Sequence, residues 1–412
     1  MSALTTAALR ALNGYMAAIA RDGGVRFTPG SALQAFPVPP KTHERLISLT
    51  VDQDTTGFLK KINLVTGLTE TEGKLLYGDL DDHVLKRSNP PTNAREPSVA
   101  ANQTERTYSL KSTEADMMLD WEKLNAYARF PSFQETLRNQ LALRIANDRL
   151  FVGWNGIDTL PFAPTAQITS LNKGWVQRLR EERPENVISE IVAGSGKIFV
   201  GNLREVGLAG AVVNVGGGVV GLPSVNHGVL PGAQITVTGT TNYNAVYLVQ
   251  PGTTPNEIHV LAAFTLEMLA APAKASQAPD YKNMDELAVD LVSAVPVHKR
   301  SGFTCMVADE LRAAEKALLY GTHGAQPSEK VVIERAFENL AGYPVETPAF
   351  IPQRTLVATK HRNLSIYIHQ NWNRAVENKH EWKGVVFWNE FTEGYFVEDP
   401  DAFVMAENIY RI

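Results

Sequence analysis

Gly216-Gly217-Gly218-Val219-Val220-Gly221 has the glycine spacing of a dinucleotide-binding loop, whose chemistry is a tight turn that offers a helix N-terminus to a pyrophosphate. Leu222-Pro223 and His227-Gly228 break any helix after it, and no acidic residue stands about twenty positions on to hold a ribose hydroxyl. The segment is therefore read as a β turn. Gly194-Ser195-Gly196-Lys197 resembles part of a phosphate loop, but Ile191 stands where the first glycine belongs and Ile198 where Ser or Thr should follow the lysine. The nine histidines form no zinc-protease pair, since His43-Glu44 continues to Ile47 and His380-Glu381 to Gly384, and solvated rings are expected. There is no GxSxG elbow, and Cys305, centred in Phe303-Thr304-Cys305-Met306-Val307, is expected to be a buried, inert thiol. Asp79, Asp81 and Asp82 cluster, but a loop cannot hold carboxylates at the separation that acid/base chemistry demands. No catalytic residue, cofactor site or metal site is assigned, and an enzyme is not expected.

Composition narrows the remaining classes. At about 150 residues per domain the 412 residues suggest two or three domains. A hydrophobic share of 44% supplies a core, and 39 basic against 44 acidic side chains, net -5, exclude a dedicated nucleic-acid or anionic-membrane binder. One cysteine rules out an internal disulfide and points to a reducing compartment. The start, Met-Ser-Ala-Leu-Thr-Thr, has no secretory pattern, so a cytosolic site of synthesis is expected. Residues 206–256 carry no Asp, Glu, Lys or Arg, yet six glycines between Gly207 and Gly221 cost a helix about 1 kcal/mol each, so this is read as β structure and not as a membrane span.

Along the chain, Leu9, Leu12, Met16 and Ile19 lie on one stripe of a short helix ending at Asp22-Gly23-Gly24, and a second helix is predicted from Lys41 to Lys61. Strands at 62–66 and 74–77 precede a polar, Pro-rich stretch, 79–103, and returning strands at 106–111 and 115–121 would close it as an extended hairpin. A loop of that length points to contact with another molecule. Ser132 is expected to cap a long helix with Glu135 reaching back, and Leu137, Leu141 and Ile145 mark its apolar face until Gly153-Trp154-Asn155-Gly156 turns the chain. A shorter helix, 174–182, is stopped by Pro184. Residues 193–277 read as a β module, with strands at 235–238 and 243–249 and a loose linker at 271–279. Afterwards Leu287, Leu291 and Val295 mark a helix, 303–307 a buried strand, and 309–319 a helix closed by Gly321; strands fill the last sixty residues.

Asn363-Leu364-Ser365-Ile366-Tyr367, Arg374-Ala375-Val376-Glu377 and Tyr395-Phe396-Val397-Glu398-Asp399 resemble the closing segment of major capsid proteins of the phage P-two (peduovirus) family. Three further blocks agree in order. They are Leu124 to Phe130 with Arg129, running through Phe133, Arg138-Asn139 and Phe151 to Asn155-Gly156; Gly174-Trp175-Val176-Gln177; and, more weakly, Phe58-Leu59 with Ile62-Asn63. The resemblance implies an α+β, Hong Kong ninety-seven-type phage capsid fold with a β-rich domain inserted. Its divisions would be an N-terminal arm and helix (1–61), an extended loop (62–120), a peripheral domain with a spine helix (121–192), the inserted β domain (193–277), an axial domain (278–362) and C-terminal strands returning to the peripheral domain (363–412).

The function so implied is a major capsid protein of a tailed double-stranded DNA phage. It would assemble in the host cytoplasm into hexamers and pentamers of an icosahedral virion shell, with a scaffolding protein, maturation protease and portal as partners, only weak nonspecific contact with DNA, and no membrane partner. Asp81, Asp82, Lys86, Arg87, Arg95 and Glu96 would make intersubunit contacts in the extended loop. An encapsulin-like compartment and an adhesin or glycan-binding module built on the β insert are the alternatives. Two departures stand out. The family has only a short connection where this chain has the β module, read as an outward knob, and N-terminal cleavage and Lys86 crosslinking do not follow from the sequence.

Overall fold

The computed structural model describes residues 4–77, 104–128, 130, 132–159, 168–323 and 337–412. They form two compact units: Met1–Arg178 with His361–Asp399, and Leu179–Lys360 with Pro400–Ile412. Residues 363–412 divide at Asp399, those up to it belonging to the first unit and Pro400–Ile412 to the second.

In the first unit, helix α1 (Thr6–Asp22) starts where the Thr5 hydroxyl oxygen accepts the Ala8 N–H at 3.3 Å. Its buried stripe is Ala8, Leu12, Tyr15, Met16, Ile19 and Ala20, while Leu9, expected on it, is 41% exposed. Tyr15 and the small Ala8 and Ala20 rotate the stripe away from Leu9. Helix α2 (Pro40–Gln53) ends well short of Lys61. Asp54 stops it: Oδ1 accepts the Thr56 N–H at 2.9 Å and hydroxyl at 2.6 Å, and Oδ2 accepts the Leu59 N–H at 2.8 Å, so a side chain replaces the helix for these donors.

Both helices cover a sheet that runs, among the described residues, Leu33–Pro37, Asn373–Lys379, Gly384–Val397, Leu364–His369 and Asn63–Leu68, the last pair parallel. Glu72–Tyr77 and Thr104–Ser109 pair antiparallel as the base of a hairpin. The predicted return is corrected beyond Ser109: Lys111–Glu114 and Met117–Asp120 join Gly384–Val397 instead, and Trp121 opens helix α3 (Trp121–Tyr127). Asp81, Asp82, Lys86, Arg87, Arg95 and Glu96 lie outside the described residues, as does Arg129.

Helix α4 (Phe133–Asn155) is the expected long helix, but the capping box is absent. Ser132 has φ -84° and ψ 5° and makes no side-chain cap bond, because a capping hydroxyl is aimed by a β-region backbone. Nor does the helix stop at Gly153. It runs on to Asn155, since the missing Cβ at Gly153 is where the Trp175 ring sits; a Cβ there would lie 2.5 Å from the indole. Helix α5 (Trp175–Glu182) crosses the division between the units.

In the second unit the described strands order as Asn339–Leu340, Tyr343–Glu346, Thr304–Val307, Leu356–Thr359, Phe403–Ala406 and Val187–Ile188. Helix α6 (Met284–Ser293), capped by Asn283 on the Glu286 N–H at 2.8 Å, buries Leu287 and Leu291 against this sheet with Phe303, Cys305 and Val404. Helix α7 (Asp309–His323) continues through Gly321, which keeps a helical backbone and so does not close it.

The charge-free stretch is β structure. Val213–Gly216, Val219–Pro223 and Glu257–Leu261 form one sheet; Val246–Leu248, Gln234–Thr238, Lys274–Gln277 and Arg204–Gly207 form another. Val220, Leu222, Ile235, Val237, Tyr243, Ile258, Val260 and Ala275 are its core. The supposed linker at 271–279 is partly a strand: Lys274–Gln277 lies inside the second sheet, with Ala275 and Gln277 buried. The strand expected over 243–249 shortens to Val246–Leu248. No helix among the described residues is long and apolar enough to cross a membrane.

Candidate functional site

The sequence motifs first considered for chemistry are closed by their own surroundings. Gly216, Gly217 and Gly218 have φ of 97°, 61° and 79° and make the tip of the Val213–Gly216/Val219–Pro223 hairpin, which only glycine accommodates cheaply. The Gly194 and Gly196 amides, which a phosphate would need, are donated to the two Glu190 carboxylate oxygens at 3.2 and 2.8 Å. Cys305 is fully buried, and burial pushes its thiol up to about 12. Solvated histidines are corrected at three positions, for His43, His227 and His259 are buried. His227 is bonded through Nε2 to Thr254 O at 2.7 Å and through Nδ1 to the Val229 N–H at 2.9 Å. No metal-binding group of His, Cys, Asp or Glu occurs among the described residues.

What the sheet of the first unit does hold is a set of side-chain networks that lock the hairpin base and the α4 helix to it. At the hairpin, Glu398 Oε1 accepts from Asn63 Nδ2 at 3.2 Å, from the Tyr367 hydroxyl at 3.0 Å and from the Ser365 hydroxyl. Charge-assisted bonds of this kind are roughly twice as strong as neutral ones. Burial, then the adjacent Glu398 charge, raises the Tyr367 pKa. Arg106, on the returning hairpin strand, donates to the carbonyls of Val397 and Glu398 at 2.7 and 3.2 Å. Tyr108 stacks edge-on against Tyr367 at 5.5 Å and Phe396 at 6.1 Å. Beside them the Asn363 side-chain amide holds the Asp399 backbone, Nδ2 donating to Asp399 O at 2.8 Å and Oδ1 accepting the Asp399 N–H at 2.6 Å.

Under α4, Arg149 and Glu393 form a buried ion pair, Nε to Oε2 2.8 Å, with side chains 3% and 4% exposed. The Tyr395 hydroxyl donates to Glu393 Oε1 at 2.8 Å, and burial together with that charge drives its pKa well up. Trp154 and Trp175 meet edge-on at 5.3 Å with Phe58 against both, and Trp175 Nε1 donates to Ser365 O at 3.1 Å. Gly156 and Gly174 allow the backbones to touch: a Cβ on either would lie 2.3 to 2.5 Å from a carbonyl oxygen.

Of the residues singled out from the sequence, Asn363, Tyr367, Glu398 and Asp399 thus fall in one network and Gly156 and Trp175 in another. Asn155 bonds back to Phe151 O at 3.2 Å, Phe133 opens α4, and Glu377 makes a surface pair with Lys379 at 2.6 Å. Arg374 donates to Asn389 Oδ1 at 3.2 Å and, with Arg138, lines a separate cavity. Sequence reasoning missed Arg106, Arg149 and Glu393. A signal existed for the last: one carboxylate within the apolar run 391–397 must find a partner or neutralise.

Among the described residues these networks tie the hairpin base and α4 to the sheet. A family model described as "Phage major capsid protein, P2 family" matches residues 11–214 and 262–409, leaving out 215–261 within the β module. The major capsid protein of Serratia phage KSP20 is 27% identical over 173 residues, 41% of this chain and 49% of that one. The capsid proteins of Escherichia phage P2 are 23% identical over 189 residues, 45% and 52% of the two chains. The alignments span about half the length of these curated relatives. A structure titled "Satellite phage P4 procapsid including size determination (Sid) protein" superposes with a TM-score of 0.64 at 16% identity, covering 97% of each chain. The fold is a mixed α/β phage capsid fold. The chain belongs to the P2 family of phage major capsid proteins.

Proposed function

We propose that this chain is the structural subunit of a tailed double-stranded DNA phage head, assembling copies of itself into hexamers and pentamers of an icosahedral shell. The observation that carries the reading is the anchored hairpin base: Arg106, Tyr108 and the Glu398 hub fasten the paired strands Glu72–Tyr77 and Thr104–Ser109 to the sheet. Bracing of this sort is wanted where an extension bears load between subunits. The family match and the procapsid likeness support the same reading.

In this reading the fold is of the Hong Kong ninety-seven type. Residues 1–61 form the arm, 62–120 the extended loop, 121–192 the peripheral domain with α4 as spine, 278–362 the axial domain, and 193–277 a β knob on the outside of the shell. The residues 81–96 singled out above make intersubunit contacts. A separate scaffolding protein, maturation protease and portal take part, assembly occurs in the host cytoplasm, and the protein has no catalytic role. The acidic balance, 44 acidic against 39 basic side chains, suits an inner wall that lets packaged DNA slide.

The test is electron microscopy of the purified chain, expressed alone and with its neighbouring phage genes, together with the mass of its N-terminus. Closed shells or capsomer rings are expected. A monodisperse monomer under every condition overturns the reading.

A further inference from the structure

A cavity of about 710 Å³ opens in the first unit between α1, α2 and the N-terminal turn of α4, and none of the networks above uses it. Its size is that of a ligand or peptide-side-chain site. Arg45, Arg138 and Arg374 line it, opposed by Asp22, Asp52 and Glu135. Asp52 is engaged by Lys60 at 3.0 Å, so with that lysine counted the cations outnumber the carboxylates. Arg138 Nε is buried without a hydrogen-bond partner. Arg374 is desolvated enough for burial to lower its pKa, against the pull of the Tyr15 hydroxyl bonded to it. Ser132, at the α4 terminus, also lines the cavity and does not cap the helix, leaving that end with its positive dipole. Ile19, Leu46 and Leu49 add an apolar wall. The arrangement suits a carboxylate-rich peptide that carries one apolar side chain.

Two runs in the chain hold three carboxylates within four residues, Asp79-Leu80-Asp81-Asp82 and Glu398-Asp399-Pro400-Asp401. In the second, Glu398 is the hub described above and Asp401 pairs with Arg183 at 2.8 Å, so two of its three carboxylates are engaged within the chain. The first follows directly on the hairpin strand that ends at Tyr77. We propose that the cavity seats the Asp79-Leu80-Asp81-Asp82 segment of a second copy of this chain, carboxylates to Arg138 and Arg374 and Leu80 to the Ile19, Leu46 and Leu49 wall. The inference rests on the capsid reading, because only an assembly brings a second copy within reach.

The test is co-expression of a tagged Ser48→Cys chain with an untagged Asp81→Cys chain, followed by mild oxidation of purified shells and a non-reducing gel. Ser48 lines the cavity at its exposed rim, and the buried Cys305 takes no part. A tagged-to-untagged disulfide dimer, absent when either chain is assembled alone, is expected. Well-formed shells without that dimer overturn the proposal, as does a link from Ser48→Cys to a different polypeptide. So does a double variant that closes its disulfide only within one chain. Failure of the unsubstituted chain to assemble at all overturns the capsid reading and this contact with it. As a second measurement, Arg138→Glu should cut shell yield about tenfold, and Asp82→Lys should restore it by reversing the pair. A folded Arg138→Glu chain, checked by circular dichroism, that assembles normally contradicts the contact.

Discussion

His43 is fully buried on α2, its ring 5.8 Å from Trp372, and neither nitrogen has a hydrogen-bond partner. Burial first, then the Arg149 and His369 charges, lower its pKa from 6.5 to about 4. The unfolded chain therefore binds a proton that the folded chain refuses. Stability that is complete above pH 6.5 is lost as the pH falls toward 4, in total about 3 kcal/mol at 1.36 kcal/mol per unit. His43→Leu should flatten the unfolding free energy between pH 7 and pH 4 by about that amount, measured by urea titration; an unchanged slope would refute the assignment. Arg149 and Glu393 make a second residue-level case. Arg149→Ala should cost about 3 to 5 kcal/mol by stranding a buried carboxylate, whereas Arg149→Met with Glu393→Leu should lie within about 1 kcal/mol of the parent. Chemical denaturation of the two variants beside the parent checks this. In the sequence His43 sits between Thr42 and Glu44 and looks solvated; the packing of α2 on Trp372 decides otherwise.

At the next level up, α4 and α5 are joined by glycines that act through their absence of side chain. A Cβ at Gly174 would stand 2.5 Å from Val152 O and 2.6 Å from Gly153 O, both backbone atoms that cannot swing away. Gly174→Ala is expected to destabilise the first unit by at least about 2 kcal/mol, even though alanine is ordinarily the better residue near a helix. Thermal unfolding of the variant beside the parent measures it, and a rise in Tm would show that α5 can slide freely. The α4 period was plain from Leu137, Leu141 and Ile145. Its ends were not, since Ser132 failed to cap and Gly153 failed to stop it, because the backbone angle at one and a neighbouring tryptophan at the other come from tertiary contacts.

For the molecule as a whole, the β module enters and leaves at one place: Arg204 is the register partner of Gln277 across adjacent strands. Replacing 205–276 by a short Gly/Ser linker therefore need not strain the rest, and the α6/α7 core of Leu287, Phe303, Cys305 and Val404 does not draw on it. Shells should still form from the shortened chain, with a slightly lower Tm because Phe199 and Tyr410 lose neighbours in the module core. Electron microscopy of the deletion checks this, and complete loss of assembly from a folded chain would make the module an integral part of the shell contacts.

The sequence by itself determined the class of answer. The apolar spacing of α1, α4 and α6, the charge-free β composition of 206–256 and the ordered capsid-like blocks are local or linear properties, and they survive in the fold. The tertiary structure decided where strands 111–114 and 117–120 pair, that 274–277 is a strand and not a linker, that Pro400–Ile412 joins the second unit, and which carboxylates are hubs. Those outcomes depend on partners hundreds of residues away, such as Glu398 for Asn63 and Glu393 for Arg149. Strand pairing and the burial of charge are set by which surfaces meet, and periodicity along a chain records only which face is apolar.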